Sequence, residues 1–471
     1  MVAKDVRERL AIIIPLTLAF FFAWSFRLFG FRDAVLAVLS GDAPTTTTSP
    51  PTSSLNPFGE AAFIQQAMAV EFPAPIDYGP IQEVCSRTPF REGLVFTCEG
   101  QHGGIGMLRN QMLKCIRYAI HGGGAIVIPS MAVRNKNDLK DIETATEMPL
   151  DYLLERATFK KHLAAGCPQM RVFDRVEDVP FYSQRHGVPL QLLGDQFEPN
   201  HPRTGLEHPR DWRRNFDAWL QKQSVHPEKQ KPVHIQMEQS FLEYPVRDDG
   251  DAFVHEFGKI LSFRNDTREL AAKVLYALRT RFELPIDPTV AISPNSYYGA
   301  HLRLESDAIW AWPPEQWRFS RMKDQFEEQF RHLEETGLST VFVASGNQTV
   351  VHLFATYLRQ RIASDLTARV RHVDVVTKYD LLSESDLQRL SAMTFDQQAL
   401  VDFLVMFKAS AFMGVAFSSF PWNVALRRHE LSKYSAYANE GSDLLRDEYS
   451  VIMGMAADYP YVDSFVTSIW P

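Results

Sequence analysis

The chain has 471 residues, of which 45% are hydrophobic and 23% charged, and its formal net charge is -8. This composition excludes a fibrous or disordered protein, and the acidic balance argues against a nucleic-acid-binding surface, where a basic stripe is expected. The length exceeds what one compact core usually accommodates, so we expect two domains and an appended segment.

The first predicted element is a membrane anchor at residues 10–31. Residues 10–25, LAIIIPLTLAFFFAWS, carry no charge and follow a basic cluster. A span needs roughly 20 residues, so the anchor must continue to residue 31, with Arg27 extending its charge to the interface. A cleaved signal peptide is the alternative, but no small-x-small cleavage site follows the run. The basic cluster predicts that residues 1–9 are cytoplasmic and that the body is lumenal.

Residues 32–75 are predicted to form a stem. The tract GDAPTTTTSPPTSSLNP at 41–57 is rich in Thr, Ser and Pro and cannot pack a core. Two N-glycosylation sequons begin at Asn265 and Asn347. With the anchor, these features predict a single-pass type II protein of the endoplasmic reticulum or Golgi membrane.

The cysteines agree with an oxidising lumen. Their number, four, is even, so two disulfides can form and three pairings are open. A bond between Cys85 and Cys98 would close the shortest plausible loop. No Cys/His spacing typical of zinc sites occurs in the sequence, so no metal is expected.

From about residue 81 onward, short apolar runs alternate with amphipathic stretches, which predicts an α/β fold with mostly parallel sheets. Two lobes facing one another would put ligands in a central cleft, at the carboxyl ends of the strands. The strand order between residues 149 and 232 cannot be predicted. Predicted strands cover 125–128, 233–237, 297–302, 340–344, 372–376 and 411–415, and predicted helices cover 107–121, 267–282, 317–336, 350–363 and 396–408.

The strongest local signal is HLRLESD at residues 301–307, where a predicted strand ends. Alternation along the strand puts His301 and Arg303 on the same side, and an arginine there can offer a bidentate fork to a phosphate. Such a group would stabilise the charge that develops on a diphosphate leaving group. The alternative is a structural ion pair of Arg303 with Glu305 or Asp307 at a surface turn.

A glycine-rich loop, GGIGMLRNQ at residues 103–111, opens a predicted helix. Such a loop lets a ligand approach the backbone amides of a helix N-terminus, which makes Gly104 and Gly106 candidate donor-binding residues. The loop lacks the preceding strand and the acidic residue of a dinucleotide fingerprint, so an NAD-type reductase is a distant alternative. A glycine turn with a purely steric role is equally open.

The segment GVAFSSFPW at residues 414–422 follows another predicted strand. The hydroxyls of Ser418 and Ser419, with the amides of a helix start, would make a phosphate cradle, and Phe420 could cover a base or sugar face. The same serines are ordinary helix N-cap residues, which is the simpler interpretation. Asp402, in the preceding predicted helix, is in isolation typical of a solvated helix charge.

The order and spacing of these segments resemble the GDP-fucose protein O-fucosyltransferase superfamily, particularly its plant-type branch. The resemblance runs from about residue 100 to residue 428 and is collinear throughout. The segments that carry it are GGIGMLRNQ, AIVIP at 125–129, LSFRNDTRELAAKVLYAL at 261–278, HLRLESD, VFVASGN at 341–347, VVTKYDLL at 375–382 and ALVDFLVMFKASAFMGVAFSSFPWNVALRR at 399–428.

The resemblance implies a glycosyltransferase B fold without a metal or other cofactor. Its N-terminal Rossmann-like domain, on the acceptor side, would cover residues 76–294. Its C-terminal Rossmann-like domain, which binds the nucleotide sugar, would cover residues 295–471.

Residue roles follow from the same resemblance. Arg303 would contact the donor diphosphate, and His301 the nucleotide or phosphate side. Asp402 would recognise guanine, because a carboxylate can accept from both N1–H and the exocyclic amine. Ser418, Ser419 and Phe420 would line the phosphates and the base.

Two further assignments concern the sugar and the chemistry. Asn110 would lie near the sugar and phosphate, although its loop is longer than the glycine-asparagine-glutamine turn usual in the family. Glu305 and Asp307 are candidate catalytic bases by proximity, and Arg303 ranks above both as a determinant of rate.

We therefore expect an inverting glycosyltransferase that moves fucose, or a related sugar, from a GDP-sugar to a hydroxyl of a protein or glycan in the secretory lumen. One alternative is a transferase of the same fold that uses GDP-mannose or another nucleotide sugar. The other is an inactive glycan-binding or scaffold relative.

Overall fold

A computed structural model of the chain describes residues 59–71, 75–98, 102–135, 138–139, 146–182, 188–198, 206–238, 243–432, 446–454 and 468–471. None of the helices within these ranges is both long enough and apolar enough to cross a bilayer. The cytoplasmic tail, the anchor at residues 10–31 and the Thr/Ser/Pro tract that the sequence predicts lie outside the described residues.

The first half of the chain builds a five-stranded sheet in which all strands are parallel. Its elements in chain order are α1 (Glu60–Ala69), α2 (Gly79–Arg87), β1 (Leu94–Cys98), α3 (Ile105–Gly122), β2 (Ala125–Val127), β3 (Met131–Val133), β4 (Thr146–Met148), α4 (Arg156–Gly166), β5 (Val172–Phe173), β6 (Leu190–Leu192), α5 (Trp212–Lys222), β7 (Val233–Met237), α6 (Asp251–Phe257) and α7 (Asn265–Arg281). The strand order is β5-β2-β1-β7-β6, and β3 and β4 form a separate antiparallel pair.

The second half repeats this plan with another parallel five-stranded sheet, in the order β10-β9-β8-β11-β12. Its elements are β8 (Tyr298–His301), α8 (Ser306–Ala311), α9 (Met322–Thr336), β9 (Thr340–Ala344), α10 (Gln348–Ser364), β10 (Asp374–Val376), α11 (Lys378–Leu381), α12 (Glu384–Ser391), α13 (Phe395–Phe407), β11 (Ala411–Val415), α14 (Ser419–His429) and β12 (Ser450–Met453). We call the first sheet, the β3–β4 pair and helices α2 to α6 the first lobe, and the second sheet with α8 to α14 the second lobe. Helix α7 joins them and packs against α1 and α13.

Both sheets reverse their strand order at one point, between β1 and β7 in the first lobe and between β8 and β11 in the second. In the second lobe Ala300 pairs with Met413 of β11 and with Val343 of β9, so the chain leaves all three strands at the same edge. A crevice at such a reversal is the usual ligand site of an open parallel sheet. The predicted α/β fold with two parallel sheets, as in glycosyltransferase B enzymes, is confirmed.

Most predicted elements agree with the structure within a few residues, and three strands, at 233–237, 340–344 and 411–415, have the predicted bounds. The largest difference is the helix predicted at 317–336. It begins only at Met322, because Arg318–Ser320 form a 3-10 turn that buries Phe319. The segment whose order could not be predicted contains α4, α5 and the short outer strands of the first sheet.

Helix α1 lies inside the segment 32–75 that the sequence assigns to a stem. Phe63 and Ala67, four residues apart and therefore on one face of the helix, are buried. The ring of Phe63 lies 5.4 Å from that of Tyr276 in α7. The described body of the protein thus includes residues from α1 onward, ahead of the predicted domain boundary at residue 76.

Two disulfides tie the first lobe together. Cys85 of α2 pairs with Cys167 after α4, and Cys98 at the end of β1 pairs with Cys115 of α3. The Cys85–Cys98 bond, which would close the shortest loop, is not the one formed, because α2 packs on α4 whereas the end of β1 lies against α3. The two bonds indicate a protein of the secretory pathway.

The two disulfides should differ in their effect on stability. Their sequence separations are 82 and 17 residues, so replacing Cys85 and Cys167 by serine should lower the free energy of unfolding by ~4.5 kcal/mol. Replacing Cys98 and Cys115 should cost ~3 kcal/mol. Urea unfolding of both double variants, with peptide mapping of the unreduced wild type, measures this. A Cys85–Cys98 peptide in the map would contradict the pairing.

Candidate active site

The HLRLESD segment forms a compact charged cluster where β8 ends. Arg303 donates from Nη1 to Glu305 Oε2 and from Nη2 to Asp307 Oδ2, each at 2.6 Å. The three side chains are only 19%, 10% and 13% exposed. The structure therefore brings the three candidate catalytic residues together, and the ion pair that the sequence left as an alternative is present.

Burial and pairing act in opposite directions on these groups. Burial, the largest influence, would lower the pKa of Arg303, but the two carboxylates outweigh it and hold the pKa above its ordinary value. Burial would likewise raise the pKa of Glu305 and of Asp307, yet the guanidinium holds both below their ordinary values. All three groups are consequently charged at neutral pH.

Glu305 also connects β8 to the loop after β9. Its Oε1 accepts from the main-chain N–H of Gly346 at 2.7 Å and from the hydroxyl of Ser345 at 3.3 Å. A Cβ atom at Gly346 would lie 2.9 Å from the ring of Phe395, so a side chain there would collide with the start of α13. The segment VFVASGN thus orients the carboxylate of Glu305, and Glu305 in turn orients Arg303.

His301 stacks on Phe420, the second residue of α14. The ring centroids are 4.8 Å apart and the planes are inclined by 11°. Burial lowers the pKa of His301 to about 3, with Glu305 opposing and Arg303 reinforcing the shift. At neutral pH the imidazole is therefore uncharged and offers an aromatic face and a hydrogen bond rather than a positive charge.

The N-termini of two helices meet beside this stack. A Cβ atom at Gly106, in the first turn of α3, would lie 2.5 Å from the carbonyl oxygen of Ser419, the first residue of α14. Only glycine permits this approach. Ser418 and Ser419 occupy the N-cap and first position of α14 and are partly exposed. Both helices thus direct the positive ends of their dipoles to one region.

The other residues of the glycine-rich loop have distinct positions. Gly104 is the N-cap of α3 and is partly exposed, as a donor-binding residue would need to be. Gly106 contributes by close packing, since Asn423 of α14 donates to its carbonyl oxygen at 3.3 Å. Asn110 is fully buried on α3, one residue after Arg109, which donates to Asn423 Oδ1 at 3.3 Å.

Asp402 lies in α13 and is buried in an ion pair with Lys378, which follows β10. Lys378 also donates to the carbonyl oxygen of Gln398 at 2.9 Å. Burial raises the pKa of Asp402, while Lys378 opposes the shift. Asp402 is thus not the solvated helix charge that the isolated sequence suggested. Its neighbour Phe403 packs against Phe420 at 4.9 Å, which connects this helix to the His301 stack.

Sequence reasoning missed Arg134, which follows β3 of the first lobe. It donates from Nη2 to Asp396 Oδ1 of α13 at 2.6 Å, and its Nη1 lies 3.8 Å from Asp307 Oδ2. A Cβ atom at Gly104 would lie 3.7 Å from its Nη2. The available signal was an arginine five residues beyond the family-like AIVIP segment. A single sequence does not indicate that its partners lie more than 170 residues away.

In the described part of the chain, Glu198, Glu207 and His208 have ligand atoms within 4.8 Å of one another and could hold a cation. Nδ1 of His208 already lies 3.0 Å from Glu198 Oε2, and this carboxylate raises the pKa of the histidine. We interpret the group as an ion pair of the first lobe.

Two helix N-termini, Arg303, Arg134 and an aromatic stack thus come together near the edge where β8 and β11 end, and we call this region the cleft edge. Such an arrangement can bind a diphosphate and stabilise the charge that it gains as a leaving group. The stack can cover a base or a sugar ring.

Replacing His301 by phenylalanine should change how stability depends on pH. The folded-state pKa of about 3 lies below the usual 6.5, so the stability that neutral burial confers is complete above pH ~6.5 and is lost as pH falls toward 3. The variant keeps the ring and does not titrate. Its stability relative to wild type should improve by ~1.4 kcal/mol per pH unit below pH 6. Urea unfolding at pH 7.5, 6 and 5 tests this, and parallel curves would contradict it.

The sequence profile described as GDP-fucose protein O-fucosyltransferase matches residues 94–431 of the chain. No curated protein sequence matches this chain. Among solved structures, POFUT1 in complex with GDP-fucose is 12% identical, with 78% of this chain and 99% of that chain covered and a TM-score of 0.45. An Arabidopsis thaliana FUT1 variant in complex with GDP is 12% identical, covering 79% and 78%, with a TM-score of 0.34.

The fucosyltransferase NodZ from Bradyrhizobium is also similar. It is 12% identical, the match covers 70% of this chain and 90% of that chain, and the TM-score is 0.33. The profile match spans well over half of the chain and includes every site residue described above. The chain therefore belongs to the GDP-fucose protein O-fucosyltransferase family and is a glycosyltransferase of that family.

Proposed function

We propose that the protein transfers fucose from GDP-fucose to a hydroxyl of a protein or glycan acceptor, with inversion at the anomeric carbon. The observation that carries this proposal is the meeting of two helix N-termini, Arg303 and Arg134 at one edge of the cleft. The family supplies the identity of the donor. Because two guanidinium groups and two helix N-termini can donate hydrogen bonds to the diphosphate there, we propose that no metal ion is required.

In the proposed reaction the acceptor oxygen forms a bond to C1 of fucose. The bond between C1 and the diphosphate oxygen breaks, and its electron pair leaves with GDP. Arg303 stabilises the resulting negative charge, because its guanidinium is held in one orientation by Glu305 and Asp307. The acceptor hydroxyl loses its proton as the new bond forms.

The two candidate bases, Glu305 and Asp307, differ in how many of their carboxylate oxygens accept hydrogen bonds. Both oxygens of Glu305 accept hydrogen bonds, from Arg303 and from the Ser345–Gly346 loop. Within the described residues, Oδ1 of Asp307 is buried and accepts none. We therefore propose Asp307 Oδ1, rather than Glu305, as the proton acceptor.

Donor recognition is proposed to involve the nucleotide and phosphate residues identified from the sequence. Gly104, Ser418 and Ser419 would contact the phosphates, and the His301–Phe420 stack would cover a ring. We keep Asp402 as the guanine-binding residue. Its pair with Lys378 uses Oδ2, so Oδ1 is the oxygen that would accept from guanine N1–H.

We further propose that residues 76–294 form the acceptor-side domain and residues 295–471 the donor-binding domain, with Asn110 near the sugar. The protein would be a single-pass type II protein of the endoplasmic reticulum or Golgi membrane, anchored by residues 10–31. Its two disulfides support the lumenal orientation of the body.

A donor panel separates this proposal from its alternatives. Hydrolysis of GDP-fucose in preference to GDP-mannose and UDP-sugars supports fucose transfer, and a preference for GDP-mannose would reassign the donor. Failure of the protein to bind any nucleotide in calorimetry would indicate an inactive relative.

Arg303→Lys should lower kcat/KM for GDP-fucose turnover by about 100-fold, because an ammonium cannot replace the bidentate guanidinium fork. Lysine keeps the charge between Glu305 and Asp307, so the thermal unfolding transition should move little. Steady-state kinetics and thermal unfolding of the same preparation measure both.

A matched control is Arg389→Lys. Arg389 also joins two carboxylates, Glu269 at 3.0 Å and Asp386 at 3.2 Å, but on the outer side of α7. This variant should turn over GDP-fucose like wild type. Near-normal turnover by Arg303→Lys would remove Arg303 from the proposed mechanism.

The compartment can be tested through the two sequons. Asn265 is exposed at the start of α7. The side chain of Asn347 instead accepts from Val350 N at 3.3 Å, beside the Gly346–Glu305 contact. In eukaryotic cells we expect a glycan at Asn265, seen as a mobility shift with endoglycosidase that Asn265→Gln abolishes and Asn347→Gln retains. Absence of any glycan would argue against a lumenal body.

A further inference from the structure

We propose that Arg134 is a positioning residue that connects the first lobe to the second. Through its contact with Asp307 it would also keep Arg303 in the orientation that binds the donor diphosphate. The inference rests on the proposed function. It assigns a role to a side chain that lies outside every segment of the family resemblance.

The main attachment of Arg134 is to Asp396, the second residue of α13. Nε and Nη2 of Arg134 both donate to Asp396 Oδ1, at 3.0 Å and 2.6 Å. The side chains are 12% and 1% exposed, and the guanidinium lies over the ring of Phe395 at 5.1 Å. The two hydrogen bonds to the buried carboxylate of Asp396 and the contact with the ring of Phe395 together hold the guanidinium in one orientation.

The same guanidinium reaches two other parts of the cleft. Its Nη1 lies 3.8 Å from Asp307 Oδ2, the oxygen that also accepts from Arg303 Nη2. Its Nη2 lies beside the N-cap of α3, since a Cβ atom at Gly104 would be 3.7 Å away. Arg134 therefore lies beside the glycine-rich loop of the first lobe and forms an ion pair with Asp307 in the charged cluster of the second lobe.

Charge gives Arg134 a second effect on the donor. Arg303 and Arg134 supply two positive charges, and Glu305, Asp307 and Asp396 supply three negative charges. The cluster therefore carries a net charge of about -1 when all are ionised. Without Arg134 it would carry about -2, and like charges repel a diphosphate strongly where water is excluded.

The test compares Arg134→Met with a matched pair inside the first lobe. Arg117 donates to Asp249 from Nε at 3.0 Å and from Nη2 at 2.6 Å, with side chains 10% and 2% exposed. Its guanidinium also lies over aromatic rings, those of Tyr244 and Phe253. Arg117→Met thus removes an ion pair of the same geometry and burial that does not cross the cleft.

All variants are made in the full chain, and GDP affinity, kcat and KM for GDP-fucose and thermal stability are measured for each. We expect Arg134→Met to weaken GDP binding at least tenfold and to lower kcat/KM by about 100-fold. Arg117→Met should lose as much stability and keep both values within about threefold of wild type.

Two milder variants separate positioning from charge. Arg134→Lys keeps the charge without the fork, and Asp396→Asn keeps Arg134 while removing the negative charge that holds it. Arg134→Lys should retain GDP affinity, and Asp396→Asn should retain or strengthen it, because the cluster then carries one negative charge fewer. Both variants should lower kcat by about tenfold. If Arg134→Met does not fold, these two variants decide the question.

Equal behaviour of Arg134→Met and Arg117→Met in GDP binding and turnover would overturn the inference, as would wild-type kcat in both milder variants. If wild type binds no GDP and turns over no GDP-sugar, the proposed function fails first, and the inference fails with it. An active wild type with an equally active Arg134→Met overturns the inference alone.

Discussion

The close packing of α3 on α14 determines how the two lobes meet. It depends on Gly106, where any side chain would collide with the carbonyl oxygen of Ser419. Asn423 secures the contact from the other helix by donating to the carbonyl oxygens of Gly106 and Ser419. Because two helices cannot approach so closely at their first turns without glycine, this one position brings two positive dipole ends to the same edge of the cleft.

Around these helix ends the protein holds cations that are already paired with carboxylates. Pairing keeps Arg303 charged despite burial and leaves it little rotational freedom. A pre-oriented guanidinium needs little rearrangement when charge develops on the leaving group, which is how a fixed polar site lowers a barrier. This pairing also has a disadvantage. Glu305 and Asp307 already accept hydrogen bonds from Arg303 Nη1 and Nη2, so they compete with the diphosphate for the same guanidinium. The net charge of the cluster therefore matters as much as the presence of arginine.

The structure modifies several roles that the sequence suggested. For Arg303, the ion pair and the phosphate-binding role are not alternatives, because pairing orients the group that would bind phosphate. Asp402 is buried against Lys378, so its use in reading guanine depends on a lysine that the site hypothesis did not include. Gly106 acts through helix packing. His301 presents a neutral ring stacked on Phe420, which favours contact with a ring or a polar atom over neutralisation of a phosphate.

The sequence by itself determined the elements whose cause is local. The buried strands β9 and β11 appear as apolar runs, and β7 appears as an alternation of apolar and polar residues. Helices α3 and α13 appear as apolar residues at helical spacing. It also identified HLRLESD, whose members bond within four residues of one another. Only the tertiary structure decided the disulfide pairing, the two- and three-residue outer strands β5 and β6, and the partners of Arg134. Arg134 and Asp396 are 262 residues apart. A local sequence pattern cannot indicate their contact, because it exists only where the two lobes pack against each other.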